Sequence, residues 1–178
     1  MNTIEMKKLN MGCGPHPKEG FTNSDICTYG RNDIVEANLN TKLPFDDNSF
    51  DFIEAYMVLE HIQNLENAMR EINRVLKPSG IVEITVPYYT GTNAWDDPTH
   101  IRAFTSQTLL YFSDENRNSI YVKQKTPPLF KVVQNKIQIS AALPFLDIIP
   151  KILSPRVYDR LLSHLIPAQG IFLQLAKP

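Results

Sequence analysis

The chain has 178 residues, enough for one domain with its own core, at the usual ~100–200 residues per domain. Its composition is 43% hydrophobic and 21% charged, ordinary for a globular protein, and its net charge is −1. That balance argues against nucleic acid as the main partner, because a phosphate-tracking surface needs an excess of Lys and Arg. Cys13 and Cys27 have no metal-ligand spacing and make no disulfide framework, which suits a reducing cytosol. The opening MNTIEMKK carries no apolar signal region, and no apolar run is long enough to span a bilayer. The expectation is a cytoplasmic domain over residues 1–178, without repeats or low-complexity tracts.

In chain order, Lys8–Met11 reads as a short buried strand that stops at Gly12. Thr22–Ile26 reads as a second strand, ending near Asp25, and Asp33–Asn38 as a third. LPFDDNSF is turn chemistry, since Asp46, Asp47, Asn48 and Ser49 all favour local side-chain-to-backbone bonds. Phe50–Tyr56 is a fourth strand. Ile62, Leu65, Met69, Ile72, Val75 and Leu76 then recur at helical spacing and make one apolar face, ended by the KPSG of Lys77–Gly80. Ile81–Pro87 is a fifth strand, and Ser106–Phe112 a short helix with Thr105 as N-cap. Phe130–Ile139 and Ile171–Ala176 are two further strands.

Between those last strands lies an apolar helical insertion, about 141–167. In it Ser154 and Pro155 look like an N-cap and first helical position, and Val157, Leu161, Leu162, Leu165 and Ile166 make an apolar face. That face has to pack on the sheet, form a dimer, or touch a membrane or lipid-linked substrate. Lys151, Arg156, Arg160 and His164 against Asp147 and Asp159 give the stretch a basic tilt.

Strands alternating with crossovers imply an α/β domain with a mostly parallel sheet. The connection from Gly14 to Phe21 is short for a parallel crossover and holds Pro15, Pro17 and Gly20, so a loop without a helix is expected there.

The LNMGCGPHP of Leu9–Pro17 places two glycines at the carboxyl end of a strand, where parallel sheets bind ligands. Glycines let a ligand approach the main chain. A dinucleotide site needs G-x-G-x-x-G opening a helix that holds the pyrophosphate. Here position 17 is proline, so a nucleoside without phosphates fits better. Asp25, eleven residues after Gly14, either caps a turn or accepts hydrogen bonds from both ribose hydroxyls, and the upstream glycines favour ribose.

LNMGCG, then NSDI, then LPFDDNSFDFIEAYMVLEHI, then AMREINRVLKPSGIVEITVP resembles the class I S-adenosylmethionine-dependent methyltransferases, in their small-molecule branch of the type 11 kind. The resemblance runs from about Lys8 to Phe112. It implies a Rossmann-like three-layer fold, with a mostly parallel seven-stranded sheet and a C-terminal antiparallel hairpin, here without the first crossover helix. It further implies S-adenosyl-L-methionine as cofactor. Gly12, Cys13 and Gly14 would pass its methionine part and Asp25 would hold the ribose. Ile26 would pack on adenine, and Asn38 with Leu39 would read the adenine edge. Tyr56 and Met57 would border the sulfonium. Asn10 stands where the family commonly has an acidic residue, and Asn38 where it commonly has aspartate. An amide at position 38 still offers an acceptor and adds a donor.

Methyl transfer to a hydroxyl also needs a base, typically worth ~10²–10⁴-fold. Candidates lie after the fifth strand, in YYTGTNAWDDPTHIRAFT. His100 is the first choice, with Asp97 as its orienting partner or as an alternative base. The plainer reading of this pair is a turn started by Asp97-Pro98. Tyr88, Tyr89, Trp95, Arg102 and His61 are candidates for the acceptor side, His61 equally as a structural wall. DPTHIRAFT resembles a segment of relatives that sit beside sugar and cell-surface biosynthesis. His16 and His164 have no partners at a metal-like spacing, and no metal is expected.

The expected activity is methyl transfer to a small molecule, at an oxygen of a sugar or lipid-linked glycan. The rivals are a catalytically silent cofactor-binding module or regulatory subunit and, less favoured, a nicotinamide-dependent oxidoreductase.

Overall fold

The computed structural model describes residues 6–115, 128–139 and 153–178. Seven strands form one sheet: β1 (Lys8–Met11), β2 (Thr22–Asp25), β3 (Ile34–Glu36), β4 (Phe50–Tyr56), β5 (Leu76–Pro87), β6 (Lys131–Ile139) and β7 (Ala168–Ala176), in the order β3-β2-β1-β4-β5-β7-β6. The first five pair in parallel, and β7 is antiparallel to both β5 and β6. The strand order reverses between β1 and β4, so the carboxyl ends of these two strands open the crevice where such sheets take ligands.

Helix α1 (Leu65–Val75) starts one turn later than the apolar periodicity alone suggests, because Asn64 caps it by accepting from the Asn67 amide at 3.0 Å. Its buried face, Leu65, Ala68, Met69, Ile72 and Val75, belongs to one core with Leu9 and Met11 of β1, Ile53 and Ala55 of β4, and Val82, Ile84 and Val86 of β5. The helix ends just before KPSG, as expected, and KPSG itself is part of β5. Ser79 donates to the Lys177 carbonyl and Lys177 to that of Gly80, while Leu76 pairs with Phe50 of β4, so β5 begins five residues upstream of Ile81.

The β1–β2 crossover is a loop, as expected. Asn23 stitches it: its side chain accepts from the Lys18 amide and donates to the carbonyls of Lys18 and Phe21. Asn10 donates to Asn23 Oδ1 at 3.0 Å, so the residue that departs from the family's acidic position serves the crossover. Phe21 packs edge-on against Phe52, and Lys18 pairs with Glu54.

Two expectations need correction. Ser106–Phe112 is not an α-helix but a single 3₁₀ turn over Leu109–Phe112. The Phe112 carbonyl accepts from the amides of Leu129 and Phe130, which diverts the chain before a second turn forms. Thr105 still accepts from the Gln107 amide, as a cap would.

In the expected insertion, 141–152 lie outside the described residues. Helix α2 (Pro155–Leu161) forms with Pro155 at its start. It anchors through Tyr158, which the apolar stripe did not include and which is fully buried, while Leu161 and Leu165 are exposed. Among the described residues, no helix is long and apolar enough to cross a membrane.

Candidate functional site

A cavity of about 340 Å³ opens at the carboxyl ends of β1, β2 and β4. Gly12, Gly14, Asp25, Ile26, Asn38, Leu39 and Met57 all line it, so seven of the nine residues expected to meet the cofactor converge there. Cys13 and Tyr56 do not appear in its wall. The Cys13 thiol turns to the Gly14 carbonyl, and burial, with the Asp25 charge second, raises its pKa. Tyr56 is exposed.

The glycine turn is held from below. Both the Gly12 and Cys13 amides donate to the Ser24 carbonyl, at 2.8 and 3.1 Å. Gly12 has φ +67°, and a Cβ there would stand 2.5 Å from Val58 Cγ2. The turn therefore needs glycine for its backbone and for its approach to the β4 exit.

The Gly14 amide donates to Asp25 Oδ2 at 2.9 Å, and the Cys27 amide to Oδ1 at 3.2 Å. The two readings of Asp25 thus coexist: it caps the turn after β2 and faces the cavity. A carboxylate has about four lone-pair sites, and the two amides with the Tyr29 hydroxyl, 3.5 Å from Oδ1, take up to three of them. Ile26 beside it is 65% exposed, an apolar side chain on the cavity wall without cover among the described residues.

Asn38 Oδ1 accepts from the Asn40 amide at 2.9 Å and the Asn40 side chain at 3.2 Å. Its acceptor is therefore committed to the turn, which leaves its NH₂ as the group open to a ligand. The loop that carries Leu39 and Leu43 to the cavity is clamped by Arg74, which donates to the carbonyls of Leu43 and Phe45 and pairs with Glu71 and Asp47.

Sequence reasoning missed Tyr29, Leu43 and Val58 as wall residues. Tyr29 and Met57 have positive φ, +54° and +49°. Residues other than glycine hold this backbone only when the surroundings impose it, and such strain gathers at ligand clamps.

The loop after β5 folds back onto the 3₁₀ turn Leu59–His61 at the exit of β4. The Ile101 amide donates to the Glu60 carbonyl, and Arg102 Nη2 donates to those of Ile62 and Gln63, at 2.7 and 2.9 Å. Arg102 is thus a clamp on the cavity wall, not the free guanidinium expected to meet an acceptor. Tyr88 needs the same correction: it is fully buried and donates to Asp159 at 2.6 Å. Burial, reinforced by that carboxylate, drives its phenol pKa up. Tyr89 bonds Ser163, and Trp95, 68% exposed, donates to the Tyr89 carbonyl.

The Asp97 carboxylate does not bond the His100 ring. It accepts from the Thr99 hydroxyl at 2.7 Å, and that bond is the main cause lowering its pKa. Thr99 Oγ1 in turn lies 2.9 Å from Nδ1 of His61, a residue of the cavity wall. His100 is held by its Nδ1, 3.2 Å from the Ala94 carbonyl, and its ring packs edge-on against His61 with centroids 4.6 Å apart. Its Nε2 is 3.9 Å from Glu60, whose side chain is 1% exposed. Burial pushes the Glu60 carboxyl up to about 7. A grouping whose members lie about forty positions apart in the chain has no signal in local spacing.

Residues 18–84 match the family model described as a methyltransferase domain. The chain is 45% identical over 62 residues to a sterol 4-C-methyltransferase of Caenorhabditis elegans, covering 35% of this chain and 18% of that protein. It is 40% identical over 63 residues to a ubiquinone/menaquinone biosynthesis C-methyltransferase of Hahella chejuensis, covering 33% and 25%. These matches thus span only about a fifth to a quarter of the curated relatives. A methyltransferase structure from Archaeoglobus fulgidus superimposes with a TM-score of 0.60 at 16% identity, over 97% of this chain and 86% of that one. The strand order, the glycine turn over Asp25 and the methyltransferase-domain match over residues 18–84 make the chain similar to the class I S-adenosylmethionine-dependent methyltransferases.

Proposed function

We propose that this chain transfers the methyl group of S-adenosylmethionine to a hydroxyl oxygen of a small-molecule acceptor. One observation carries the cofactor half: a main-chain turn with no side chain at Gly12 and Gly14 stands over a carboxylate that lines the same cavity. Those groups suit an uncharged ribose and a zwitterionic tail, and among the described cavity residues no helix N-terminus is presented to a pyrophosphate.

The acceptor half rests on the imidazoles of His61 and His100. The methyl donor is activated by its own positive charge, so the protein's work is to align sulfur, methyl and nucleophile and to ease loss of the hydroxyl proton. His61 lies on the cavity wall and His100 is stacked beside it. Sugar hydroxyls, free or lipid-linked, are the acceptor class suggested by the DPTHIRAFT segment. A second reading follows the relatives' printed names, two of which are C-methyltransferases: the methyl goes to a carbon of the acceptor.

Calorimetry with S-adenosylmethionine and S-adenosylhomocysteine tests the first half. Native protein is expected to bind in the micromolar range. Hydrogen bonds to a charged group contribute ~1.5–3 kcal/mol, so Asp25→Ala should bind about 10- to 100-fold more weakly. Equal binding by the two proteins refutes the ribose assignment. Transfer of labelled methyl to a panel of sugars, phenols and quinols tests the second half, and mass spectrometry of the product separates oxygen from carbon. Binding without transfer to any acceptor would favour a silent cofactor-binding module.

A further inference from the structure

We infer that Glu60, His61 and His100 form a binding site for a divalent first-row transition cation beside the cofactor cavity, and that this cation holds the acceptor's hydroxyl oxygen. One ligand atom from each of the three residues lies within 4.8 Å of the others. Two imidazoles and one carboxylate, with positions left open, make a donor set suited to manganese, iron, cobalt or zinc.

The hydrogen bonds around the cluster fix which atoms are free. The Thr99 hydroxyl has one proton and gives it to Asp97, so toward His61 it can only accept. His61 Nδ1 therefore carries a ring proton, which leaves Nε2 as its ligand atom. The Ala94 carbonyl cannot donate either, so His100 carries a proton on Nδ1 and would likewise ligate through Nε2. Ligand histidines are commonly prepared in this way, with the far N–H given to a carbonyl or to a carboxylate network. Glu60 supplies the independent sign. Its side chain is 99% buried, and Oε2 has no hydrogen-bond partner in an interior where such an atom is costly. A cation would satisfy the lone pairs of all three residues. Ligands at ~2.0–2.2 Å from a tetrahedral centre lie ~3.4 Å apart, so side-chain rotations of about an ångström close the set.

This inference deepens the proposed reaction and rests on it for the acceptor's place. An acceptor hydroxyl bound to the cation loses its proton to solvent. The oxygen forms a bond to the methyl carbon, the carbon–sulfur bond breaks, and its electron pair stays on sulfur. The products are methyl ether, S-adenosylhomocysteine and one proton.

The test is titration of the full chain, purified with chelator, with Co²⁺ followed by visible d–d absorption and with Mn²⁺ followed by loss of the free-ion EPR signal. Stoichiometric binding is expected at micromolar protein. Glu60→Gln and His100→Gln should each weaken it at least tenfold, with S-adenosylhomocysteine affinity within threefold of native. Two substitutions guard against a misfolded variant, and retained S-adenosylhomocysteine binding shows that the cavity is intact. No binding at millimolar cation, or binding that neither substitution weakens, overturns the inference even when S-adenosylhomocysteine binds normally. Loss of S-adenosylhomocysteine binding by native protein would instead fault the proposed function.

Discussion

The Thr99 hydroxyl stands 2.9 Å from His61 Nδ1 while giving its own proton to Asp97, which joins a cavity-wall imidazole to a carboxylate 36 positions further along the chain. The expected consequence is a proton held on Nδ1 of His61. Two-bond ¹⁵N–¹H correlation spectra should show it in native protein and show it lost in Thr99→Val. Finding the native ring protonated only on Nε2 would contradict the relay. Partners at this remove from a reacting or ligating imidazole typically matter by ~10–100-fold, so methyl transfer by Thr99→Val should fall by about that factor with cofactor affinity unchanged.

Gly12 and Gly14 share a left-handed backbone but not their surroundings. A Cβ on Gly12 meets Val58 Cγ2 at 2.5 Å and Val58 Cβ at 2.7 Å, whereas one on Gly14 meets nothing within 4 Å. The left-handed backbone alone costs an alanine ~1–2 kcal/mol. Crowding of a packed site adds ~1–3 kcal/mol. Gly12→Ala should therefore lower unfolding stability in urea by ~2–5 kcal/mol, and Gly14→Ala by only ~1–2 kcal/mol. Equal losses would show that Val58 moves aside freely.

Glu71 and Arg74 tie helix α1 to the loop bearing Leu39 and Leu43, with side chains 12% and 19% exposed. The Arg74 bond is the largest cause holding the Glu71 carboxyl below its ordinary 4.5, so the unfolded chain binds the proton more tightly than the folded one. The stability from this pair is complete above about 4.5 and is lost as pH falls through the depressed folded value. Glu71→Gln should cost ~2 kcal/mol at pH 7, between the values typical of exposed and buried pairs. The gap between native and variant should close in acid. A gap that does not change with pH would mean that packing, not charge, carries the effect.

What could be read from the sequence followed local rules. Short apolar runs bounded by glycine and turn residues located the strands, Pro15, Pro17 and Gly20 specified a helix-free crossover, and Asp25 was singled out at the end of the second strand, eleven residues after Gly14. What could not be read depended on contacts between remote segments. Phe112 has good helical neighbours, but its carbonyl is taken by Leu129 and Phe130. Glu60 resembles any solvated glutamate until the loop carrying His100 closes over it. The aromatic and ionisable residues after β5 looked uniformly functional. In the fold, Arg102 serves the main chain, while His61 and His100 turn toward each other.

Tyr88 is the sharpest case, because its neighbour Tyr89 and its place after β5 both suggested contact with the acceptor. Its ring is fully buried, its hydroxyl donates to Asp159 Oδ1, and Ser106 donates to Oδ2 of the same carboxylate. These bonds fasten helix α2 to the exit of β5. Tyr88→Phe keeps the ring and removes one donor from a half-buried carboxylate, which retains Ser106. A hydrogen bond to a charged group contributes ~1.5–3 kcal/mol, so chemical denaturation should show a loss in that range. Cofactor affinity and the KM for the acceptor should stay at native values. A rise in KM with unchanged stability would place the Tyr88 hydroxyl in the acceptor site after all.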